Sequence, residues 1–168
     1  CLVGSEMCIR DRENIIKNVH NRHPLIHCIT NYVSINDCAN IVLACGGAPI
    51  MAEDINEVSQ ITSICQGLDI NIGMLNDNKL SSMLKAGATA NELGIPVILD
   101  PVGAGSSDYR IKAVQNLMSN VQFGVIRGNV SEIKAIAAKQ GIHNIAAGVY
   151  ETMQKNKSAM GVEAGIAD

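Results

Sequence analysis

The sequence predicts an α/β domain in which helices cover a mainly parallel sheet on both faces. Short apolar runs of the strand type alternate at least four times with longer stretches of helical periodicity, and short connections join them. Alternation of this kind implies right-handed crossovers between parallel strands. The composition agrees, because 47% of the residues are hydrophobic and only 2% are aromatic, which suits helices packed closely on a buried sheet. A chain of 168 residues is long enough for one domain with one core.

The elements follow from hydrophobic spacing and from the glycine, proline and capping residues at their ends. A helix begins near Glu13, and the apolar run 24–29 is the first strand. The next helix begins with Ser34 or Asn36 as its cap and ends at Gly46. The remaining elements are a short strand or extended turn at 48–53, helix 56–66, strand 68–73, helix 79–93, strand 97–99, helix 109–118 and strand 121–126.

The two ends of the chain do not fit this alternation. Residues 1–12 resemble translated adapter sequence, so we expect them to be non-native and expect residues 13–168 to be the N-terminal part of a single domain. After residue 139 the pattern weakens, because 150–156 is typical of one polar helix and 160–168 contains no closing element. We therefore expect the sheet to be truncated before its C-terminal strands.

Charge and cysteine content narrow the class of function. The formal net charge is −3 and the sequence has no lysine- or arginine-rich block. It therefore does not predict the basic surface that binds nucleic acid or an anionic membrane. The longest apolar run, 41–52, is interrupted by glycine and proline and is too short to span a bilayer. The six cysteines form no C-x-x-C pair, and their spacing to the four histidines matches no zinc motif. We therefore expect a cytoplasmic protein with reduced cysteines and a small-molecule partner.

Acidic and basic residues follow two of the predicted strands. Asp100 follows strand 97–99, and Arg127 and Glu132 follow strand 121–126. The carboxyl ends of parallel strands meet at one edge of a sheet, where two carboxylates can share a magnesium ion and an arginine can bind phosphate. The sequence therefore favours phosphoryl transfer at this edge.

Structural roles also explain these residues when each is taken singly. Asn129 and Glu132 have the spacing of a helix capping box, and Asp100 precedes a proline, as turn residues often do. Arg127 is typical of a solvated charge at a strand end, and Met51 suits a core position. A capping box is compatible with an anion site, because it aims the first N–H groups of a helix at the ligand.

Five short blocks of this chain carry a family resemblance. They are HCITNYV at 27–33, NDCAN at 36–40, GGAPIMA at 46–52, LDPVGAG at 99–105 and RGNVSEI at 127–133. They resemble the successive signature blocks of the hydroxyethylthiazole kinase family, and their common order makes a chance match improbable. That family belongs to the ribokinase-like superfamily. The resemblance implies a three-layer ribokinase-like fold with a mainly parallel central sheet.

The resemblance also implies an activity and an acceptor site. Members of the family use ATP and magnesium to phosphorylate the hydroxyl of 4-methyl-5-(2-hydroxyethyl)thiazole, which salvages the thiazole half of thiamine. Matching the blocks position by position places Met51 in the thiazole pocket and Asn31 on the neighbouring loop. Members are homotrimers with thiazole sites between subunits, so the resemblance implies the same assembly for the full-length protein.

On the nucleotide side, the resemblance implies that Arg127 contacts the phosphates of ATP and that Asn129 holds the same turn. It implies that Asp100 and Glu132 form the Mg²⁺ network. Further along, the family carries a Gly-x-Gly-Cys-Ser loop whose cysteine activates the substrate hydroxyl. No such segment occurs up to residue 168, so no catalytic residue is assigned, and we expect the chain to be a fragment that is inactive alone.

Two other functions stay open at this point. The chain is compatible with a non-catalytic α/β module that binds a small molecule in the same pocket. Another ribokinase-like vitamin or sugar kinase is a further alternative, which the blocks at 27–33 and 46–52 disfavour.

Overall fold

The fold alternates helices and strands along the whole described chain. A computed structural model describes the backbone of residues 5–139 and the side chains of residues 14–138. The elements are α1 (Ser5–Arg22), β1 (Leu25–Ile29), α2 (Ile35–Ala44), β2 (Ala48–Ile50), α3 (Val58–Ile64), β3 (Gly67–Asn71), α4 (Asp77–Glu92), β4 (Val97–Asp100), α5 (Asp108–Asn120), β5 (Val125–Ile126) and α6 (Val130–Lys139). The helix predicted at 150–156 and the segment 160–168 lie outside the described residues. Among the helices that are described, none combines the length and the apolar character needed to cross a bilayer.

The sheet confirms the predicted fold class. Its five described strands are all parallel and lie in the order β2-β1-β3-β4-β5. The chain starts at β1, steps outward to β2, and then returns past β1 to build β3, β4 and β5 on the other side. The strand order therefore reverses between β1 and β3. In open α/β sheets, ligands bind outside the carboxyl ends of the strands at such a reversal.

The two faces of the sheet differ in how they are covered. One face carries the main core, in which strand residues pack against apolar side chains of α3, α4, α5 and α6; the fully buried apolar strand members are Ile29, Leu68, Ile70, Val97 and Leu99. Cys28, Asp69, Ile98 and Val125 lie side by side on the opposite face. Helix α2 covers the Cys28 end of this row, whereas Ile98 and Val125 remain 42% and 53% exposed.

The two largest differences from the predicted element boundaries are at the start of α1 and at the start of β5. Helix α1 begins at Ser5 and not near Glu13, so the segment predicted to be non-native is partly helical; its origin stays a prediction. Strand β5 is only two residues long, although strand character was predicted from Val121. The reason is local, because the side-chain amide of Asn91 donates to the carbonyl of Gln122 and accepts from its N–H. Backbone groups bound in this way are not available to a neighbouring strand.

Helix α2 also departs from expectation. Ser34 occupies its N-cap position, but its hydroxyl donates to the side chain of Asn31 and makes no capping bond to the helix. None of the residues of α2 is fully buried, and Ile41 and Leu43 are largely exposed. The apolar pattern that predicts this helix therefore does not serve to fill the core of the described chain.

Gly87 in α4 packs closely against Val121, which follows α5. A Cβ at this position would lie 2.5 Å from Cγ2 of Val121, which is buried. Alanine normally favours a helix over glycine by about 1 kcal/mol. We nevertheless expect Gly87→Ala to lower the free energy of unfolding by about 1–3 kcal/mol, because overpacking a rigid contact outweighs that gain. Urea unfolding monitored by circular dichroism measures the change.

The double variant Gly87→Ala/Val121→Ala isolates the cause. Removing the valine methyl groups makes room for the new Cβ, so alanine at Gly87 is expected to add little destabilisation in the Val121→Ala background. An equal loss in both backgrounds would contradict the packing explanation.

Candidate active site

A row of side-chain hydrogen bonds joins three strand ends. Asn31, which follows β1, donates from Nδ2 to Oδ1 of Asn71 in β3 at 3.0 Å. Asn71 donates from Nδ2 to Oδ2 of Asp100 in β4 at 2.9 Å. Beyond β5, Nη1 of Arg127 lies 3.5 Å from the same carboxylate oxygen. We call Asn31, Asn71 and Asp100 the polar row. It crosses the strand reversal and brings together Asn31, Asp100 and Arg127, which the sequence placed in separate blocks.

Neighbouring groups fix the orientation of both amides in the polar row. Oδ1 of Asn71 accepts from the N–H of Gly73 at 2.8 Å, so its Nδ2 is the atom that points to Asp100. Oδ1 of Asn31 accepts from the N–H and the hydroxyl of Ser34. A Cβ at Gly73 would lie 2.9 Å from side-chain atoms of both asparagines, so this position requires glycine. Asn71 was missed in the sequence, where its only signal is an amide at the carboxyl end of an apolar strand.

Asp100 is the acidic member of the polar row. Burial raises the pKa of its carboxyl; the charge of Arg127 opposes the rise, and the charge of Glu132 adds to it. The side chain of Arg127 is 80% exposed, so its contact with Asp100 stabilises little and leaves the guanidinium able to meet another anion. A partly buried carboxyl with a second carboxylate nearby is a favourable place for a cation.

Asn129 and Glu132 form the predicted capping box at the start of α6. Oδ1 of Asn129 accepts from the N–H of Glu132 at 3.0 Å, and Oε2 of Glu132 accepts from the N–H of Asn129 at 2.8 Å. The second carboxylate oxygen of Glu132 accepts from the N–H of Gly103 at 2.9 Å. This buried carboxylate therefore fixes the helix start against the loop that follows Asp100.

Arg110 holds the loops after β3 and β4 together. Its guanidinium donates to three backbone carbonyls, those of Ile72, Gly73 and Val102, at 2.7–2.8 Å. Gly103 in the second loop has a φ of +70°, a conformation that favours glycine. The N–H of Gly103 is already bound to Glu132, so this loop is a glycine turn and its N–H is not free to bind a phosphate.

Met51 lies on a cavity of about 200 Å³ beside the first strand end. The lining residues are Cys28, Thr30, Tyr32, Ile35, Met51, Ala52 and Glu53. The buried ring of His27 anchors one wall, because Nε2 donates to the carbonyl of Ala52 at 2.8 Å. Burial lowers the pKa of His27, and its Nδ1 lies 2.8 Å from the hydroxyl oxygen of Thr62, which donates to the carbonyl of Val58. The cavity adjoins the polar row at Thr30, the residue before Asn31.

A buried lysine closes the rim of this cavity. Lys79 in α4 is 4% exposed, and its ammonium lies 2.8 Å from Oε2 of Glu53 and donates to the carbonyl of Thr30. The same ammonium lies 4.6 Å from the ring centre of Tyr32, whose hydroxyl donates to Glu53. Lys79 is not predicted from the sequence, because nothing in a helical pattern shows that a lysine near the helix start is turned inward.

Asp69 lies one row below the polar row, on the sheet face that α2 covers. Burial raises the pKa of its carboxyl to about 6; the charge of Asp100 adds to the rise, while Arg127 and the thiol of Cys38 oppose it. Oδ2 of Asp69 accepts from Sγ of Cys38 at 3.9 Å. Asp69 was also missed in the sequence, where it is a single acid inside an apolar strand.

Comparison with known proteins identifies the family to which this chain belongs. The model of the Hydroxyethylthiazole kinase family matches residues 16–166. The chain belongs to that family. The match includes the whole polar row, the cavity and the capping box, and it confirms the family that the five sequence blocks indicated.

Individual hydroxyethylthiazole kinases are similar to this chain at high identity. The chain is 62% identical over 127 residues to the hydroxyethylthiazole kinase of Clostridium acetobutylicum, covering 76% of this chain and 46% of the relative. It is 47% identical over 153 residues to that of Clostridium beijerinckii, covering 91% of this chain and 54% of the relative. The chain thus spans about half the length of the hydroxyethylthiazole kinases that it matches.

A solved hydroxyethylthiazole kinase has a similar fold. The protein from Pyrococcus horikoshii OT3 superimposes with a TM-score of 0.73 at 40% sequence identity. The superposition covers 75% of this chain and 49% of the other. The fold of the described residues is therefore that of about half of a hydroxyethylthiazole kinase.

Asp69 gives this member of the hydroxyethylthiazole kinase family a pH-dependent stability. Its folded-state pKa of about 6 lies above the ordinary value of 3.8, so the folded chain holds the proton more tightly than the unfolded chain. The resulting stability is complete below the unfolded pKa and is lost as the pH rises through the folded pKa. We expect Asp69→Asn to raise the free energy of unfolding above about pH 6 and to change it least near pH 4.

Urea unfolding of both proteins across this pH range, in EDTA, checks the prediction. The difference between variant and parent should grow up to about pH 6 and then level off. A difference that is the same at every pH would contradict it.

Proposed function

We propose that this chain supplies the acceptor pocket and the acidic edge of a kinase that phosphorylates 4-methyl-5-(2-hydroxyethyl)thiazole with ATP in thiamine salvage. The match of the Hydroxyethylthiazole kinase family to residues 16–166 carries the proposal. The names of relatives that are 62% and 56% identical support it. A kinase built on the carboxyl edge of this sheet also agrees with where open α/β folds bind ligands.

The thiazole ring occupies the cavity that Met51 lines. Its walls combine an apolar thioether and Ile35 with the polar rim of Tyr32 and Glu53, as suits a small amphipathic heterocycle. Asn31 lies where the cavity meets the polar row, so its amide orients the end of the ligand that carries the hydroxyl. Through Asn71, this orientation is fixed relative to Asp100.

ATP and magnesium occupy the other end of the polar row. Arg127 binds the phosphates. Its exposed guanidinium leaves the long contact with Asp100 and forms shorter, charge-assisted hydrogen bonds with phosphate oxygens. Asn129 keeps the start of α6 directed at the nucleotide through the capping box. Asp100 and Glu132 hold Mg²⁺, because they offer the hard oxygen donors that the ion prefers and their mutual repulsion is relieved by a cation. Bound magnesium supplies charge neutralisation to the transferring phosphoryl group.

The full-length protein acts as a cytoplasmic homotrimer in this proposal. Tyr32 and Val33, beside the cavity, are 56% and 88% exposed, and Ile41 and Leu43 extend the apolar surface along α2. Such a surface next to the acceptor pocket suits a pocket completed by a neighbouring subunit. Residues 1–12 take no part in it, and the domain begins at residue 13.

The 168-residue chain alone is expected to have no kinase activity. Its sequence contains no Gly-x-Gly-Cys-Ser loop, which supplies the activating cysteine in the family. The test measures ATP-dependent phosphorylation of hydroxyethylthiazole by the purified chain. The positive control is a chimera in which residues 1–139 precede the C-terminal half of the Clostridium acetobutylicum relative. Turnover by the chain equal to that of the chimera would contradict the prediction, and an inactive but folded chimera would count against the proposed function.

Single variants of the chimera separate the two ends of the site. Asp100→Asn is expected to lower kcat by roughly a hundredfold or more, as losses of charge stabilisation do, with a small effect on KM for the thiazole. Met51→Ala is expected to raise KM for the thiazole and leave KM for ATP unchanged, because it removes only acceptor contacts. If Asp100→Asn retains parental kcat, Asp100 does not belong to the magnesium network.

A further inference from the structure

A second group of potential metal ligands lies beneath the polar row. Cys28 in β1, Cys38 in α2 and Asp69 in β3 place their sulfur and carboxylate atoms within 4.8 Å of one another. Each comes from a different element, so no spacing in the sequence brings them together. Within the part of the chain that the structure describes, both cysteines are free thiols.

Among the described residues, the carboxylate of Asp69 has no cationic partner within hydrogen-bonding distance. Asp69 occupies the middle of β3, and the described chain gives it one hydrogen bond, from the thiol of Cys38 at 3.9 Å, and no ion pair. Asp100 on the next strand adds negative charge nearby, which the more distant charge of Arg127 offsets in part. A partly buried carboxylate in this setting is destabilising unless it takes up a proton or a cation.

A disulfide between the two cysteines explains these features less well than a bound metal. Burial raises the pKa of both thiols, and the charge of Asp69 raises it further, which leaves little thiolate to attack an oxidant. A disulfide would also leave the charge of Asp69 uncompensated. A divalent cation, by contrast, displaces the thiol protons and binds the carboxylate directly, so Asp69 gains a positively charged partner while the net charge of the group is unchanged.

We propose that Cys28, Cys38 and Asp69 form a site for a divalent cation of the zinc class. Two thiolates and one carboxylate are donors that Zn²⁺ accepts, at about 2.3 Å to sulfur and about 2.0 Å to oxygen. A tetrahedral ion with these bond lengths separates its donors by about 3.5–3.8 Å. The observed separation of 3.9 Å between Cys38 and Asp69 is close to this range, and the limit of 4.8 Å for the group needs only small side-chain rotations.

Three protein ligands leave one coordination position for water or a ligand. Cys28 also lines the cavity that contains Met51 and Thr30, so water or a ligand that completes the coordination would reach the ion from this cavity. The site is separate from the proposed Mg²⁺ position, which uses hard oxygen donors at the top of the sheet. Of its three residues only Cys28 borders the cavity assigned to the thiazole, whereas Cys38 and Asp69, the positions varied in the test below, have no role in the kinase assignment.

Metal uptake by the purified 168-residue chain tests the proposal. All proteins carry Cys1→Ser and Cys8→Ser, so that the N-terminal thiols do not bind metal. The chain is expected to take up one equivalent of Zn²⁺, and Co²⁺ in its place is expected to give near-ultraviolet thiolate-to-cobalt absorption. Cys38→Ser and Asp69→Asn should each weaken Zn²⁺ binding by more than the roughly tenfold that loss of an outer-shell partner costs. Cys45→Ser, an exposed thiol at the end of the same helix, is the matched control and should bind as the parent does.

Alkylation mapping by mass spectrometry gives a second readout. It uses the parent protein and does not depend on the Cys38→Ser and Asp69→Asn variants. Zn²⁺ should slow the modification of Cys38 and leave that of Cys45 unchanged. The proposal is overturned if the parent takes up no stoichiometric metal, if folded Cys38→Ser and Asp69→Asn bind as tightly as the parent, or if Zn²⁺ does not protect Cys38. Circular dichroism establishes that each variant is folded, and the protection experiment decides the matter if one is not.

Discussion

Five strands that run in one direction place all of their carboxyl ends on a single edge of the sheet, and the candidate site depends on that constraint. The reversal of strand order between β1 and β3 opens a crevice at this edge. Asn31 and Asn71 come from the two strands that flank the crevice, and Asp100 comes from the next strand. An antiparallel sheet would send alternate strand ends to opposite edges, and the polar row would not exist.

Much of this arrangement was predictable because it follows from hydrophobic periodicity and from the glycine and proline residues at the ends of elements. The parallel class, the strand at 24–29 and the capping box of Asn129 and Glu132 are all local or repetitive signals. Asn71, Asp69 and Lys79 were not predictable in the same way. Their importance arises from neighbours 29 to 49 residues away in the sequence, such as Asp100 for Asn71, Cys38 for Asp69 and Thr30 for Lys79. Single-sequence patterns contain no such pairings.

Glu132 shows why a structural and a functional interpretation of one residue need not compete. Its two oxygens accept backbone N–H groups from Asn129 and from Gly103, so the carboxylate fixes both the helix start and the adjacent loop. A carboxylate held from two sides loses little entropy when a cation arrives, since its geometry is already set. Arg127 is the opposite case, because its exposed side chain is free to reorganise around an anion. The acidic end of the site is preorganised and its basic end is adaptable.

Arg110 has a consequence for how ligands enter and leave. One planar guanidinium binds carbonyls from both loops that border the acidic edge, so these loops are coupled as one rigid unit. A hinged lid made from either loop would have to break several charge-assisted hydrogen bonds at once. Exchange past these two loops is therefore expected to depend on rotation of exposed side chains, chiefly that of Arg127 over the carboxylates. Side-chain rotations take place in picoseconds to nanoseconds, whereas lid motions require microseconds or longer. At the acidic edge we therefore expect fast side-chain rotation, and not movement of these two loops, to control access.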